Sequence, residues 1–184
     1  RLFSLVREFR KESSVPIVIL TYANLIMRRG ISRFYQEAAQ AGIDGVVIAD
    51  VPCEESDPFI NAAREAGVCH IMMVSTTTSP ERLKGILARS SGFIYLVAVK
   101  GVTGARTGVS DAAKNLLVSV KRETSLPVAP GFGIATSGQV KEWTDAGADA
   151  VIVGSAIVMQ IEENLQSRDL AAPAVGRFIR NLKE

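Results

Sequence analysis

Apolar runs alternate with segments of helical spacing along the whole chain. The runs are continuous in Val, Ile and Leu, which is typical of parallel strands buried on both faces. They predict strands near Ile17–Tyr22, Gly45–Asp50, His70–Ser75, Phe93–Val97, Val128–Pro130 and Ala150–Val153. The segments around them predict helices near Leu2–Lys11, Ile31–Ala41, Ser56–Glu65, Pro80–Arg89, Asp111–Glu123, Ser137–Ala146, Ala156–Gln166 and Ala172–Leu182. Capping residues mark four of the helix starts, at Ser32, Ser79, Ser110 and Thr136.

The alternating pattern contains an internal repeat. Ala41–Ile48 closely matches Ala146–Val153, and Ala66-Gly67-Val68 leads into another strand in the same way. Each copy reads as a helix end, a glycine that closes the helix, a short loop and a buried strand. Because no linker rich in Pro or Ser interrupts the pattern, we expect a single domain over residues 1–184.

Three glycine turns each follow a predicted strand. They are Gly101–Gly104, Gly131–Gly133 and Gly154–Ala156. Glycine lets backbone N–H groups approach a ligand closely, and a helix start behind the turn favours an anion. The turns therefore predict a site for a phosphorylated small molecule.

The position of these turns selects among α/β folds. An open doubly wound sheet usually carries its phosphate turn after the first strand, whereas a (β/α)₈ barrel uses the turns after its last strands. Here the turns come last. We predict an α/β fold of the TIM-barrel class, with six βα units that correspond to strands 3 to 8, so a partial barrel.

Composition narrows the function classes. The net charge of +2 gives no field that would favour nucleic acid, and no apolar run approaches the length of a membrane helix. Cys53 and Cys69 lack metal-site spacing, so two free thiols in a cytoplasmic protein are expected. The single histidine, His70, begins an apolar run and is expected to be structural. These features disfavour a metal site and a histidine-based triad.

Longer motifs add a family resemblance. The chain resembles the tryptophan synthase α subunit family from about Pro16 to Glu162. The matching stretches are Leu20–Asn24, Ala49–Pro52 with Glu54–Ser56, Gly101–Ala105, Gly131–Ile134 and Gly154–Val158. The turns GFG and GSA are common among phosphate-binding barrels. GVTGA and ADVP are specific, and they argue against another phosphate-binding barrel, such as a phosphoribosyl isomerase.

The resemblance implies a lyase of tryptophan biosynthesis. The family cleaves indole-3-glycerol phosphate by a retro-aldol reaction to indole and glyceraldehyde 3-phosphate. The α subunit uses no metal and no organic cofactor of its own, because pyridoxal phosphate belongs to the partner β subunit. We expect the same of this chain, with a β-subunit surface at Asn24 and Asp50–Ser56.

The resemblance also implies roles for individual residues. Backbone N–H groups, with the Ser155 hydroxyl, would bind the phosphate at Gly104, Phe132, Gly133, Gly154 and Ser155. The rest of the substrate would be contacted by Tyr22, Val47, Ala49, Tyr95, Thr103 and Phe132. Without the resemblance, Tyr22 and Tyr95 could be ordinary strand-end aromatics, and Asp50 could be a capping or solvated acid.

The acid–base residues of the family have no counterpart in the matching stretches. Retro-aldol cleavage needs proton transfers, for which the family uses a Glu and an Asp near its first two strands. Neither is found here, so we predict impaired turnover, with Tyr95 the one candidate for an assisting role. The alternative is a non-catalytic module that binds phosphate or docks to a β subunit. An open barrel edge also predicts self-association.

Overall fold

The computed structural model describes residues 1–98, 109–131 and 133–183, and it shows an α/β fold. Its strands lie in chain order in one five-stranded sheet, and the registered pairs are parallel. They are β1 (Val18–Thr21), β2 (Gly45–Ile48), β3 (Cys69–Ser75), β4 (Ile94–Val97) and β5 (Val128–Gly131). The predicted α/β class with parallel strands is confirmed.

Helices follow the strands as the sequence pattern predicts. They are α1 (Leu2–Phe9), α2 (Ala23–Arg29), α3 (Ile31–Ala41), α4 (Asp57–Ala66), α5 (Pro80–Arg89), α6 (Asp111–Glu123), α7 (Ser137–Asp145), α8 (Ser155–Glu162) and α9 (Arg168–Asn181), with a 3₁₀ helix at Cys53–Glu55. Neither α2 nor the 3₁₀ helix was predicted from the sequence. No helix within the described ranges has both the length and the apolar character to cross a membrane.

The chain divides into two compact units. The N-terminal unit contains Arg1–Met73 and Ser79–Ile94, and the C-terminal unit contains Val74–Thr78 and Tyr95–Glu184. In the N-terminal unit every residue of β2 is buried, and Phe34 and Tyr35 of α3 belong to the same apolar cluster as Val46. Burial on both faces accounts for the unbroken run of apolar residues in β2.

The sixth predicted strand is a correction. Ala150–Val153 does not form a strand of several residues. It makes one isolated parallel bridge, between Ile152 and Gly131. Its residues are only half-buried or exposed, whereas those of the matching β2 are all buried. A ladder needs a neighbour to register against, and β2 has one on each side.

One predicted cap is also wrong, and three are confirmed. α3 begins at Ile31 after Gly30, so Ser32 lies inside the helix rather than before it. Gly30 has a φ of +88°, so the chain turns between α2 and α3 at this glycine. Gly30 is the N-cap residue of α3, and no side chain caps the helix there. The confirmed caps accept the backbone N–H three residues on; they are Ser79, Ser110 and Thr136.

Candidate functional site

Neighbouring strand ends of the C-terminal unit lie side by side. Ala98 N–H donates to the Gly131 carbonyl at 3.0 Å, and Ile152 N–H donates to the Pro130 carbonyl at 2.8 Å. The ends of β4 and β5 and the bridge at Ile152 therefore lie at the same edge. This is the edge at which parallel α/β sheets bind ligands.

The start of α8 has the features of an anion site. The helix begins at Ser155, and its N-cap residue Gly154 provides no side-chain cap. The first N–H groups of a helix lack partners within the helix, and its dipole favours negative charge there. Gly154 and Ser155 are exposed, as is Gly133, whose φ of +70° is a conformation that favours glycine.

Gly131 has a steric role that the sequence analysis missed. A Cβ at this position would lie 2.7 Å from Cε2 of Tyr95 and 2.9 Å from Cβ of Ile152. The Tyr95 ring therefore lies directly against the backbone of the predicted phosphate turn. A glycine at the end of a buried strand is the signal for such a close approach.

Tyr95 is half-buried on β4, and burial raises the pKa of its phenol. The hydroxyl therefore stays protonated at neutral pH and can donate a hydrogen bond. This state suits a group that assists by hydrogen bonding rather than by charge.

Three predicted site residues, Thr103, Gly104 and Phe132, lie outside the described residues. Close to them in the chain, Val109 N–H donates to Oε2 of Glu142 at 3.0 Å. Lys114 Nζ donates to the other carboxylate oxygen at 2.6 Å. Hydrogen bonds from Lys114 and from the Val109 backbone hold the pKa of Glu142 below its usual range. Glu142 thus fixes the chain just before α6.

The predicted indole-contacting residues Tyr22, Val47 and Ala49 belong to the N-terminal unit. Leu20 of β1 is in register with Val47 of β2, and Ala49 N–H donates to the Thr21 carbonyl at 2.9 Å. Tyr22 and Ala49 are exposed just beyond the strand ends, whereas Val47 is buried within β2. The structure thus places two of the three at one edge, with Val47 inside the sheet.

The predicted partner-facing residues Asn24 and Asp50 also lie close together. Ala23 N–H, next to Asn24, donates to Oδ1 of Asp50 at 2.8 Å. Asn24 is exposed on α2, and Asp50 is exposed after β2. Sequence separation hid this contact, which parallel pairing of β1 and β2 creates.

The segment from Cys53 to Asp57 is bound to α5 by two arginines. Arg82 donates to both carboxylate oxygens of Glu54 at 3.0 and 3.3 Å, and Arg89 donates to Asp57 at 3.0 Å. A backbone hydrogen bond within Glu54, and then Arg82, lower the pKa of the Glu54 carboxyl. Buried Ser56 closes the turn by donating to the Cys53 carbonyl at 2.6 Å.

His70 is a core residue, as predicted. It is buried, and its Nδ1 lies 3.3 Å from the hydroxyl of buried Tyr35. Cys53 and Cys69 are free thiols. Within the described residues, no three His, Cys, Asp or Glu side chains come together in a way that could hold a metal ion.

The fold and these strand-end turns agree with comparisons to known proteins. The family model "Tryptophan synthase alpha chain" matches residues 1–184. The chain belongs to this family. A tryptophan synthase alpha chain of Methanoregula boonei is 49% identical over 183 residues, covering 100% of this chain and 69% of the relative. One of Methanothermobacter thermautotrophicus is 46% identical, covering 100% of this chain and 68% of the relative.

Solved structures of tryptophan synthase agree. The α₂β₂ complex from Pyrococcus furiosus contains a chain that is similar at a TM-score of 0.89 and 38% identity. The similarity covers 98% of this chain and 71% of that chain. The predicted resemblance, the barrel class and the lyase class of the tryptophan synthase alpha family are therefore confirmed, while the roles of individual residues stay predictions.

Proposed function

We propose that this chain binds indole-3-glycerol phosphate as part of a lyase site that forms indole and glyceraldehyde 3-phosphate. The pairing of Gly131 with Ile152 carries the proposal, because it sets the turn after β5 beside the segment that leads into α8. Gly133, Gly154 and Ser155 then offer backbone N–H groups and one hydroxyl to the phosphate. The family match supplies the substrate, and Gly104 and Phe132 complete the proposed phosphate site.

The indole end of the substrate is assigned to apolar and aromatic groups. Tyr22 and Ala49 are exposed just beyond the ends of β1 and β2, and Tyr95 is half-buried as the second residue of β4. We propose a substrate contact for each of these side chains and for Val47, Thr103 and Phe132. The Tyr95 hydroxyl assists by donating a hydrogen bond.

A charge placed at the start of α8 tests the phosphate site. In the Ser155→Asp variant a carboxylate would repel the phosphate, and affinity for indole-3-glycerol phosphate should fall by about tenfold or more. The matched control is Ser137→Asp, which adds the same charge at the first residue of α7. Isothermal titration calorimetry measures the affinity of both variants for indole-3-glycerol phosphate. Equal affinities would overturn the assignment of Ser155.

We further propose that these 184 residues turn the substrate over slowly on their own. The family's catalytic Glu and Asp have no counterpart in the matching stretches, so proton transfer to indole C3 and from the glycerol hydroxyl lacks its usual groups. Indole release, measured against the full Methanoregula boonei relative, tests this. Equal turnover by the two proteins would contradict the proposal.

A non-catalytic phosphate-binding or docking module is the second candidate. The carboxyl pKa shifts resolved in the described residues are all downward, at Glu37, Glu54, Glu142 and Asp149. A general acid at neutral pH requires the opposite shift. Substrate binding without any indole release would favour this candidate over slow catalysis.

We propose a pyridoxal-phosphate-dependent β subunit as the partner. Support comes from the α₂β₂ assembly of the Pyrococcus furiosus relative and from the contact between Ala23 and Asp50, which joins the two predicted docking segments. Binding of the Pyrococcus furiosus β chain, followed by calorimetry, tests this with Asn24→Arg as the disrupting variant. Arg64→Ala on α4 is the control. Equal binding by both variants would show that Asn24 is not part of the docking surface for the β subunit.

Self-association through β1 is the remaining proposal. β1 is the first strand in the sheet order, and its Val18 and Leu20 side chains are 40% and 61% exposed. An apolar strand at an edge can pair with another chain. Sedimentation of the protein should show oligomers that Leu20→Lys removes and Val118→Lys, on α6, does not. A monomeric wild-type protein would refute the proposal.

A further inference from the structure

The start of α2 is held from outside the helix. Its N-cap residue Tyr22 has an extended backbone with φ of −112° and ψ of 152°, and it makes no side-chain capping bond. Instead, Asp50 accepts the Ala23 N–H through Oδ1 at 2.8 Å. A carboxylate that accepts an N–H in the first turn satisfies a donor that the helix itself cannot pair.

Parallel strand pairing puts Asp50 in this place. Thr21 of β1 is in register with Ile48 of β2, and Ala49 N–H then donates to the Thr21 carbonyl. The two strands end side by side, so the residue after Ala49 reaches the residue after Tyr22. Asp50 thus links the segment after β2 to α2 through a side chain, not through the sheet alone.

The remainder of α2 gives little orientation to its first turn. Ile26 is the one residue of this helix that is buried, while Leu25 and Met27 are 57% and 62% exposed. At the other end, Arg29 pairs with Glu37 of α3. Ala23 packs against the apolar cluster of the N-terminal unit, and its hydrogen bond to Asp50 adds a directional contact to the first turn of this seven-residue helix.

We propose that Asp50 is a positioning residue, which fixes Tyr22 and Asn24 by capping α2 from the neighbouring strand. Tyr22 precedes Ala23 and Asn24 follows it, so one hydrogen bond sets both side chains. The inference rests on the proposed function, in which Tyr22 faces the indole end of the substrate and Asn24 faces a β subunit. Asp50 thereby joins a substrate-facing and a partner-facing residue within one unit.

Asp50→Asn and Asp50→Ala separate capping from charge. Asparagine keeps an oxygen acceptor and alanine does not. With Asp50→Ala, amide hydrogen exchange at Ala23 should accelerate by about fivefold or more, and affinity for indole-3-glycerol phosphate should fall by a similar factor. Asp50→Asn should stay within about twofold of wild type in both measurements. Asp57→Ala controls for the loss of a nearby exposed carboxylate that pairs with Arg89 instead.

The two measurements keep this inference distinct from the proposed function. Unchanged exchange at Ala23 in Asp50→Ala would overturn the capping role whatever the protein binds. Faster exchange with unchanged affinity would overturn the positioning of Tyr22. If wild-type protein fails to bind indole-3-glycerol phosphate, the proposed function fails, and the exchange data still decide whether Asp50 fixes α2. A loss of affinity in Asp57→Ala equal to that in Asp50→Ala would also count against the proposal.

Discussion

The two copies of the internal repeat reach different structures from nearly the same sequence. In the first repeat (Ala41–Ile48), the last four residues form β2, which is buried throughout and paired on both sides. In the second repeat (Ala146–Val153), the matching residues form one bridge. The difference shows that an apolar run alone does not decide whether a segment forms a strand, which also depends on the ladder that it makes with its neighbours.

The loops of the two repeats are alike. Asp44 accepts the Ile17 N–H at 2.7 Å and pairs with Arg10, the C-cap residue of α1. Asp149 accepts the Val128 N–H at 2.8 Å and pairs with Lys121 of α6. Each aspartate therefore ties its loop to the start of the preceding strand and to the helix before it. Local chemistry is repeated where strand pairing is not.

Lowering the pH should produce the largest difference in stability between the two units. Burial lowers the pKa of His70 to about 4 in the N-terminal unit, from 6.5. The unfolded chain therefore binds the proton first, and about 3 kcal/mol of stability is lost as the pH falls from 6.5 towards 4. Hydrogen exchange should show this loss in the N-terminal unit, and His70→Gln should remove it.

The C-terminal unit should lose stability at a lower pH than the N-terminal unit. Hydrogen bonds from Lys121 and the Val128 backbone lower the pKa of Asp149, so its contribution is present above the ordinary aspartate pKa and is lost as the pH falls through the lowered value. Simultaneous loss of protection in both units above pH 5 would contradict this separation.

Truncating matched valines tests burial in the two repeats. Val46 is fully buried in β2, and Val151, at the same position of the second repeat, is half-buried. Val46→Ala should lower the free energy of unfolding by about 2 kcal/mol, and Val151→Ala by about 0.5 kcal/mol. Urea unfolding followed by circular dichroism measures both. Equal losses would mean that Val151 is packed as tightly as Val46.

Adding a methyl group tests the single bridge of the second repeat. Gly131→Ala would drive a Cβ into Tyr95 and Ile152, costing about 1.5 kcal/mol and displacing Tyr95. Gly154→Ala meets no atom within 4 Å and has a φ of −117°, so its stability should be unchanged. Thermal melts compare the two, and the NMR chemical shifts of the Tyr95 ring report on its position. A stable Gly131→Ala protein with unchanged Tyr95 shifts would contradict the close approach.

Removing the basic residue tests how much each loop aspartate contributes to stability through its ion pair, Arg10 with Asp44 and Lys121 with Asp149. Arg10 also donates to the carbonyls of Gly42, Ser13 and Val15, and only 19% of its side chain is exposed. Arg10→Ala should therefore cost about 1 kcal/mol and Lys121→Ala less than about 0.5 kcal/mol. Urea unfolding at low and high salt gives the comparison. A larger loss for Lys121→Ala would show that the number of hydrogen bonds made by the basic residue does not determine its contribution to stability.

Local signals account for the elements that the sequence analysis predicted well. α5 begins after Ser79 because a capping hydroxyl precedes Pro80. α2 was missed because Ala23–Arg29 continues the apolar run of β1, and the acceptor at its start, Asp50, is distant in the chain. The close approach of Tyr95 to Gly131 has the same origin, since it joins two different strands.

Local sequence patterns were sufficient to predict the alternation of helices and parallel strands, three of the caps and the family. These depend on periodicity, backbone freedom and short motifs, which act within a few residues. The folded chain was needed to see that Ala150–Val153 forms a bridge, that Tyr95 lies against Gly131, and that Asp50 accepts the Ala23 N–H at the start of α2. Those outcomes depend on which segments become neighbours in space, and pairing and packing settle that over long sequence separations.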